Sequence, residues 1–375
     1  MSLLWRVVDF CSTSSVVNHK LLGLAAIRQM KRALREGLVS GYAFSVFGRV
    51  LASHRYIVDA CRFADLSLQR MNASNPSDHI RTLTTTTLFL ARLQSPWQEY
   101  IDPLLKAHGI GMRFGEIHFA SLAAFSAVQV AMFAGLPLHV VQQTIERSKD
   151  DIETFGRQDT IDCFKMCEQY MLNLRGESLD PLILSGLAMD EATFLESAAG
   201  PPLQQFHLFK LLLAVYFQKE AGMDAASNAL LKEGASVEAT HISSIPRLFF
   251  LGLAACRLGR IRGERRYERR ARAITKDLEK LTKLNKVSTI RFLYILNAEH
   301  ARRTRQRPRH NIKRAYDDAI EASFKSGFVS HTALANEFAG EYFDSRKDTV
   351  LARSYFTRCD DEYRSWGAKA KVRRV

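Results

Sequence analysis

Proline and glycine are scarce, with nine prolines and 20 glycines in 375 residues. Long stretches free of both exclude a chain of many short strands, which needs turn residues at close intervals, and they favour helices. Cysteine is scarce as well. Cys11, Cys61, Cys163, Cys167, Cys256 and Cys359 are scattered along the chain. That excludes a disulfide-stapled secreted scaffold and reads as reduced thiols in an intracellular protein. The chain lacks a GxxxxGK(S/T) phosphate loop, a kinase set with its Gly-rich loop and two aspartates, and an H-E-x-x-H pair. No signal peptide is read in MSLLWRVVDF, where Asp9 interrupts the apolar patch early, so the expected location is cytoplasmic. Only one long apolar run occurs, Ile117 to Leu136, close to the roughly 20 residues that span a bilayer. Its His118, Gln129, two serines and many alanines suit a buried helix in a helical array, and no membrane span is expected.

What is present is helical periodicity. Hydrophobic residues make up 47% and charged residues 25% of the chain, a globular balance. The stretch 203–219, LQQFHLFKLLLAVYFQK, is apolar on nearly every face and predicts a central helix. The stretch 263–283 places Tyr267, Ala271, Ile274, Leu278 and Leu281 at three- and four-residue steps among charges, which predicts an outer helix. Short connections favour antiparallel neighbours. The expected fold is all-α, a right-handed superhelical array of antiparallel hairpins, a tetratricopeptide-like solenoid. It should occupy residues 19–375, after a poorly defined segment 1–18. The acidic, weakly periodic stretch 176–202 reads as a long loop on one face or a seam between lobes.

Candidate chemistry is thin. GIGMRFG (Gly109, Gly111, Gly115) has the wrong spacing for a dinucleotide loop, follows a helix and reads as an inter-helix turn. Cys163 and Cys167 share one helix face but lack the further ligands that zinc takes. Glu299 and His300 are adjacent and so do not face each other on a helix. No catalytic, metal or cofactor site is expected. Net charge is +14, and the excess sits in residues 241–375. Two arginine clusters stand out there: Arg257, Arg260, Arg262, Arg265, Arg266, Arg269, Arg270 and Arg272, then Arg302, Arg303, Arg305, Arg307, Arg309 and Arg314 with Lys313. They read first as a solvated face with internal salt bridges. A candidate interaction surface over Arg262, Arg265, Arg266, Arg269, Arg270, Arg302, Arg303 and Arg305 would suit an acidic protein, or nucleic acid as the alternative. Tyr267 is the one interleaved aromatic, which weakens a base-stacking platform.

The C-terminal stretch is the most informative. Small residues (Ala333, Ala335, Ala339, Gly340) alternate with Leu334, Phe338, Tyr342 and Phe343 at helical spacing. A second helix follows with Ala352, Tyr355, Phe356, Cys359 and Tyr363 on one face. Small residues let two helices approach closely while aromatics fill the space beside them. The set Ala333-Leu334-Ala335-Asn336-Glu337, Ala339, Tyr342, Ala352, Tyr355, Tyr363, Trp366-Gly367-Ala368, Lys371 and Val372 resembles the end of the helical-repeat region in large signalling ATPases. In that family a serine/threonine kinase-like domain and an AAA-type ATPase precede the repeats, and sensor modules and a histidine kinase follow. Residues 41–71 and 96–125 resemble an early and a middle hairpin of the same region, so the resemblance covers about residues 35–375. It implies a non-catalytic coupling or protein-interaction arm whose partners are proteins or neighbouring signalling domains. The ATPase and kinase motifs themselves are missing, and the chain stops at Val375 where the family continues. The expectation is therefore a fragment or a free-standing derivative.

Overall fold

A computed structural model of the chain describes residues 19–37, 40–54, 56–72, 75–90, 96–232, 242–284, 286–303 and 308–372. Among the described residues it is all-α, without a strand. Nineteen α-helices and one 3-10 turn (Trp97–Tyr100) are described. They are α1 His19–Glu36, α2 Gly41–Ser53, α3 Ile57–Gln69, α4 Pro76–Phe89, α5 Ile101–Phe114 and α6 Ile117–Phe133. Next come α7 Leu138–Glu146, α8 Lys149–Phe155, α9 Gln158–Arg175, α10 Glu191–Ser197, α11 Gly200–Tyr216 and α12 Glu220–Lys232. The last third holds α13 Ser244–Arg262, α14 Arg265–Leu284, α15 Lys286–Arg303, α16 Arg309–Lys325, α17 Val329–Ser345, α18 Thr349–Trp366 and α19 Lys369–Val372.

Neighbouring helices pack as hairpins, and every second helix packs on the next but one along the series α2, α4, α6, α9, α11, α13, α15, α17. These form an inner layer, and composition explains which helices enter it. Thirteen of the 17 residues of α6 are buried, and so are 13 of the 17 in α17. A helix without a polar face has to be covered on all sides. Outer α14 buries only its stripe, with Tyr267, Ala271, Ile274 and Leu278 inside and Leu281 half-buried. No helix among the described residues is long and apolar enough to cross a membrane, so the run in α6 ends as core.

The array folds back on itself. The indole Nε1 of Trp366 donates to the carbonyl of Leu136 at 3.0 Å, 230 residues earlier. The short α19 rests on α9. One hydrophobic cluster runs from Leu83 to Ala370, while α1–α4 carry two small satellite clusters around Tyr42 and Ala60. The cluster continues across 176–202, where Tyr170 stacks on Phe209 at 4.7 Å and 16°. That segment is a surface loop followed by α10. Buried Asn173 donates to the carbonyls of Pro181 and Ile183, buried Gln169 accepts from the backbone of Ala188, and both thereby hold the loop.

Several local expectations are corrected. Gly109 and Gly111 lie inside α5, and only Gly115, at φ 76°, ends it. The reason is close approach: a Cβ on Gly111 would meet the Cβ of Ala120 on α6 at 2.7 Å. Asn75 caps α4, and Asp78 in its first turn accepts from the backbone N–H of Asn72 and Tyr42, tying α4 to α2. The stretch 138–155 forms two helices broken at Arg147 and Ser148, with Asp150 and Asp151 placed at the positive end of the second. Pro201 and Pro202 fall in the first turn of α11, where a missing N–H costs nothing, so that helix starts earlier than expected.

Candidate functional site

The C-terminal hairpin shows why its residue types recur. α17 and α18 pack more closely than any other pair among the described residues. A Cβ on Gly340 would stand 2.8 Å from the Phe356 ring, so glycine sets the helix separation. Phe343 and Tyr355 stack across the pair at 5.5 Å and 8°. The hydroxyl of Tyr355 donates to Asp317 of α16 at 2.6 Å, so the hairpin is pinned to the one before it. Ala335 is fully buried, and Asn336 donates to the carbonyl of Thr332 at 3.0 Å. Gly367, with φ 89°, ends α18 in the left-handed conformation that glycine tolerates and turns the chain toward α19.

Glu337 lies at the centre, only 4% exposed. It accepts from the hydroxyl of Tyr363 at 2.6 Å, from the Lys371 ammonium and from the amide of Gln218 at 2.7 Å. Gln218 joins α11 to α12 with a positive φ of 57°, an uncommon conformation for a residue with a side chain. Its amide also donates to Glu341, and its carbonyl oxygen accepts from Arg257 at 2.6 Å. Arg257 and Arg302 share Glu341 at 3.2 and 3.5 Å. Arg302 leads on to Glu299 at 3.5 Å, which is only 2% exposed. Arg260 bonds Glu299 at 2.8 Å, and the hydroxyl of Tyr316 donates to it at 2.6 Å. A continuous network of ion pairs and hydrogen bonds thus joins α13, α15, α16, α17, α18 and α19 to the α11–α12 corner.

The electrostatics follow from this arrangement. Burial alone would raise the carboxyl of Glu299, but Arg260, Arg302 and the Tyr316 hydroxyl outweigh it and hold it at about 2. Burial, reinforced by Glu299, drives the Tyr316 phenol well above its ordinary value. Burial and Glu337 do the same to Tyr363. These groups are locked donors and acceptors near neutral pH, not proton carriers. A buried ion pair contributes little over an apolar pair, but breaking one leaves an uncompensated charge at a cost of about 3–5 kcal/mol. The network therefore favours one relative placement of seven elements.

The arginine clusters divide. Arg257, Arg260 and Arg302 belong to the interior network. Arg262 reaches back to Glu220 at 2.6 Å and Asp224 at 2.8 Å on α12. Arg266 is exposed and pairs with Glu264, and it joins Arg262 in donating to the Tyr267 hydroxyl. Arg270 lies over the same ring at 5.8 Å. Arg265 and Arg269 are exposed. The backbone of Arg303 ends α15, while its side chain and all of Arg305 lie outside the described residues. Tyr267 is fully buried and offers no stacking face.

Cys163 and Cys167 are buried, and burial pushes both thiols up, away from reactivity. No group of three or more His, Cys, Asp or Glu among the described residues could hold a metal ion. Sequence reasoning missed Glu299, Glu341 and Gln218. Apart from the Glu299–Arg302 pair three residues apart, their partners lie 17 to 123 residues away, and spacing along one helix carries no trace of those. No protein-family model matches this chain, and no curated protein matches it.

Proposed function

We propose that the chain is a non-catalytic coupling and protein-interaction module, related to the repeat arm of the large signalling ATPases that its C-terminal motif resembles. The observation that carries this reading is the continuous, largely buried network of ion pairs and hydrogen bonds from the α11–α12 corner to α19. A stacked array passes a displacement along its length when its units hold a fixed relation to one another. Here Glu337 and Glu341 fix the last hairpin to two earlier ones through Gln218 and Arg257. The arm would act in the cytoplasm, with protein partners or adjoining signalling domains and no cofactor of its own.

Hydrogen exchange on Glu337→Gln tests the coupling. Lost protection in α11 and α13 as well as in α18 and α19 is the expected result. Loss confined to α18 and α19 would sink the coupling reading. Transcript sequencing across both ends of the reading frame tests the family relation separately. A phosphate-loop ATPase upstream or a histidine kinase downstream supports it, and a bracketing start and stop leave a free-standing scaffold.

Nucleic acid is the second reading, favoured by exposed Arg265, Arg266 and Arg269 on α14. It ranks behind because Arg257, Arg260, Arg262 and Arg302 are spent on carboxylates and Tyr267 is buried.

A further inference from the structure

Arg291 stands apart from every other arginine of the array. It is fully buried on α15, and its Nε, Nη1 and Nη2 have no hydrogen-bond partner. A guanidinium does not lose its proton in a protein, so the charge stays inside. Aromatic rings surround it. Its Cζ lies 3.2 Å from the ring centroid of Phe328, 4.3 Å from Phe292 and 5.5 Å from Trp97. Ring faces offset part of the cost of desolvating a cation, but they give its N–H groups no acceptor.

The neighbouring polar groups add to the imbalance. Trp97 is 2% exposed, and its indole N–H is also without a partner. His331 packs against Phe292 at 5.1 Å and Phe328 at 5.6 Å, is 4% exposed, and has an unpartnered Nδ1. Burial and the nearby Arg291 charge both drive its pKa well below the ordinary value, so it supplies no counter-charge and no second cation. Phe328 and His331 are the cap and first-turn residues of α17, whose N-terminal end carries partial positive charge. The carbonyl of Phe328 is already taken by the backbone of His331 and Thr332. The Arg291 guanidinium, the Trp97 N–H and the N-terminal end of α17 lie around the same rings, with neutral His331 beside them, and no carboxylate of the interior network bonds Arg291 or Trp97.

We propose that Arg291, Trp97 and His331, walled by Phe292 and Phe328, form a structural binding site for one small monovalent inorganic anion of halide size. One guanidinium matches one negative charge. The enclosing side chains are at most 4% exposed, which favours a small ion over a phosphate or an organic acid. The site ties the 3-10 turn at Trp97 to α15 and α17, three segments far apart in sequence. It is independent of the coupling reading above.

The test compares thermal unfolding of the full chain in sodium chloride and in sodium gluconate at equal ionic strength. Chloride should raise the midpoint saturably, since an ion that binds only the folded state stabilises it by mass action. Arg291→Met should abolish the chloride dependence. Trp97→Phe keeps the ring but removes the donor, and should raise the half-saturating chloride concentration several-fold. A crystal grown in bromide should show its anomalous peak beside Arg291. Equal midpoints in the two salts would overturn the proposal. So would a chloride effect unchanged in Trp97→Phe, which would trace it to the exposed arginines of α14. Should Arg291→Met fail to fold, Trp97→Phe and the bromide peak still decide.

Discussion

The first four helices and the last seven are built from the same hairpin and are held by different means. In α4 the run Thr82, Thr84, Thr85, Thr86 and Thr87 is buried, and the hydroxyls of Thr82, Thr84 and Thr87 have no partner. Nearby hydroxyls mostly serve their own turns, as Ser45 does with the carbonyl of Tyr42 and Ser53 with that of Val50, and Ser67 adds one neutral link to Thr86 of α4 at 2.8 Å. Apolar packing there is split into small clusters. From α13 onward the core is one cluster threaded by paired charges. Hydroxyls bonded within a turn break one at a time. Charges bonded between hairpins break together, because Glu299 and Glu341 are each shared by two cations from different hairpins. The C-terminal part should therefore unfold as one unit and the N-terminal hairpins more gradually.

The sharpest way to break this contrast is Glu299→Gln. It leaves Arg260 and Arg302 facing a neutral group in a site only 2% exposed. The expected loss is about 3 kcal/mol in urea unfolding, because half-buried Arg260 loses its carboxylate and Arg302 keeps only Glu341. A loss below about 1 kcal/mol would mean that the network is not the fastening of this half. The pH dependence gives a second reading of the same group. The carboxyl of Glu299 is held at about 2 against an ordinary 4.5. Its folded value is depressed, so its contribution is full above pH 4.5 and is lost as pH falls through 4.5 toward 2. Acid titration of unfolding midpoints should show that loss in the native chain and its absence in Glu299→Gln.

The N-terminal counterpart is Asp78→Ala. Asp78 is 8% exposed and accepts from the backbone of Tyr42 and Asn72. Leaving those N–H groups unmet should cost about 1–3 kcal/mol. Hydrogen exchange should place the loss in α2–α4, with α13–α18 unchanged. An equal effect in both halves would join what the comparison separates.

Much of the fold was legible because it depends on pattern within a helix. The all-round apolar stretch in α11 and the single stripe of α14 each read correctly as an inner and an outer helix. The close α17–α18 approach was legible from Ala339 and Gly340. The network was not. Glu299 shares a chain neighbourhood with His300, yet beyond Arg302 of its own helix its partners come from α13 and α16, and His300 points instead to Thr275. Arginine count gave no direction either: Arg260 and Arg302 bind buried Glu299, while Arg265 faces solvent. Arg291, lying between Ile290 and Phe292, carried no sequence signal at all. Pairing between hairpins depends on the superhelix, and local spacing does not record it.

A smaller effect sharpens the contrast from the other side. Thr84 is fully buried with its hydroxyl unpartnered. Thr84→Val removes that oxygen at nearly constant shape and should be neutral or stabilising, by up to about 1 kcal/mol. A clear destabilisation in urea unfolding would show that the α4 hydroxyls have partners that matter.

The smallest expected effect is on stability, and it bears on function. Arg265 and Arg269 are exposed on outer α14. Substituting both by glutamate should change unfolding free energy by less than about 0.5 kcal/mol, as exposed sites away from packing or pairing do. The same pair supplies much of the free positive charge on that helix. Fluorescence anisotropy with single-stranded RNA at low salt therefore separates the two functional readings without a folding artefact. Under the coupling reading, neither the native chain nor the double variant binds. Binding by the native chain that weakens with salt and vanishes in the variant would move the function of this stretch from internal fastening to phosphate contact.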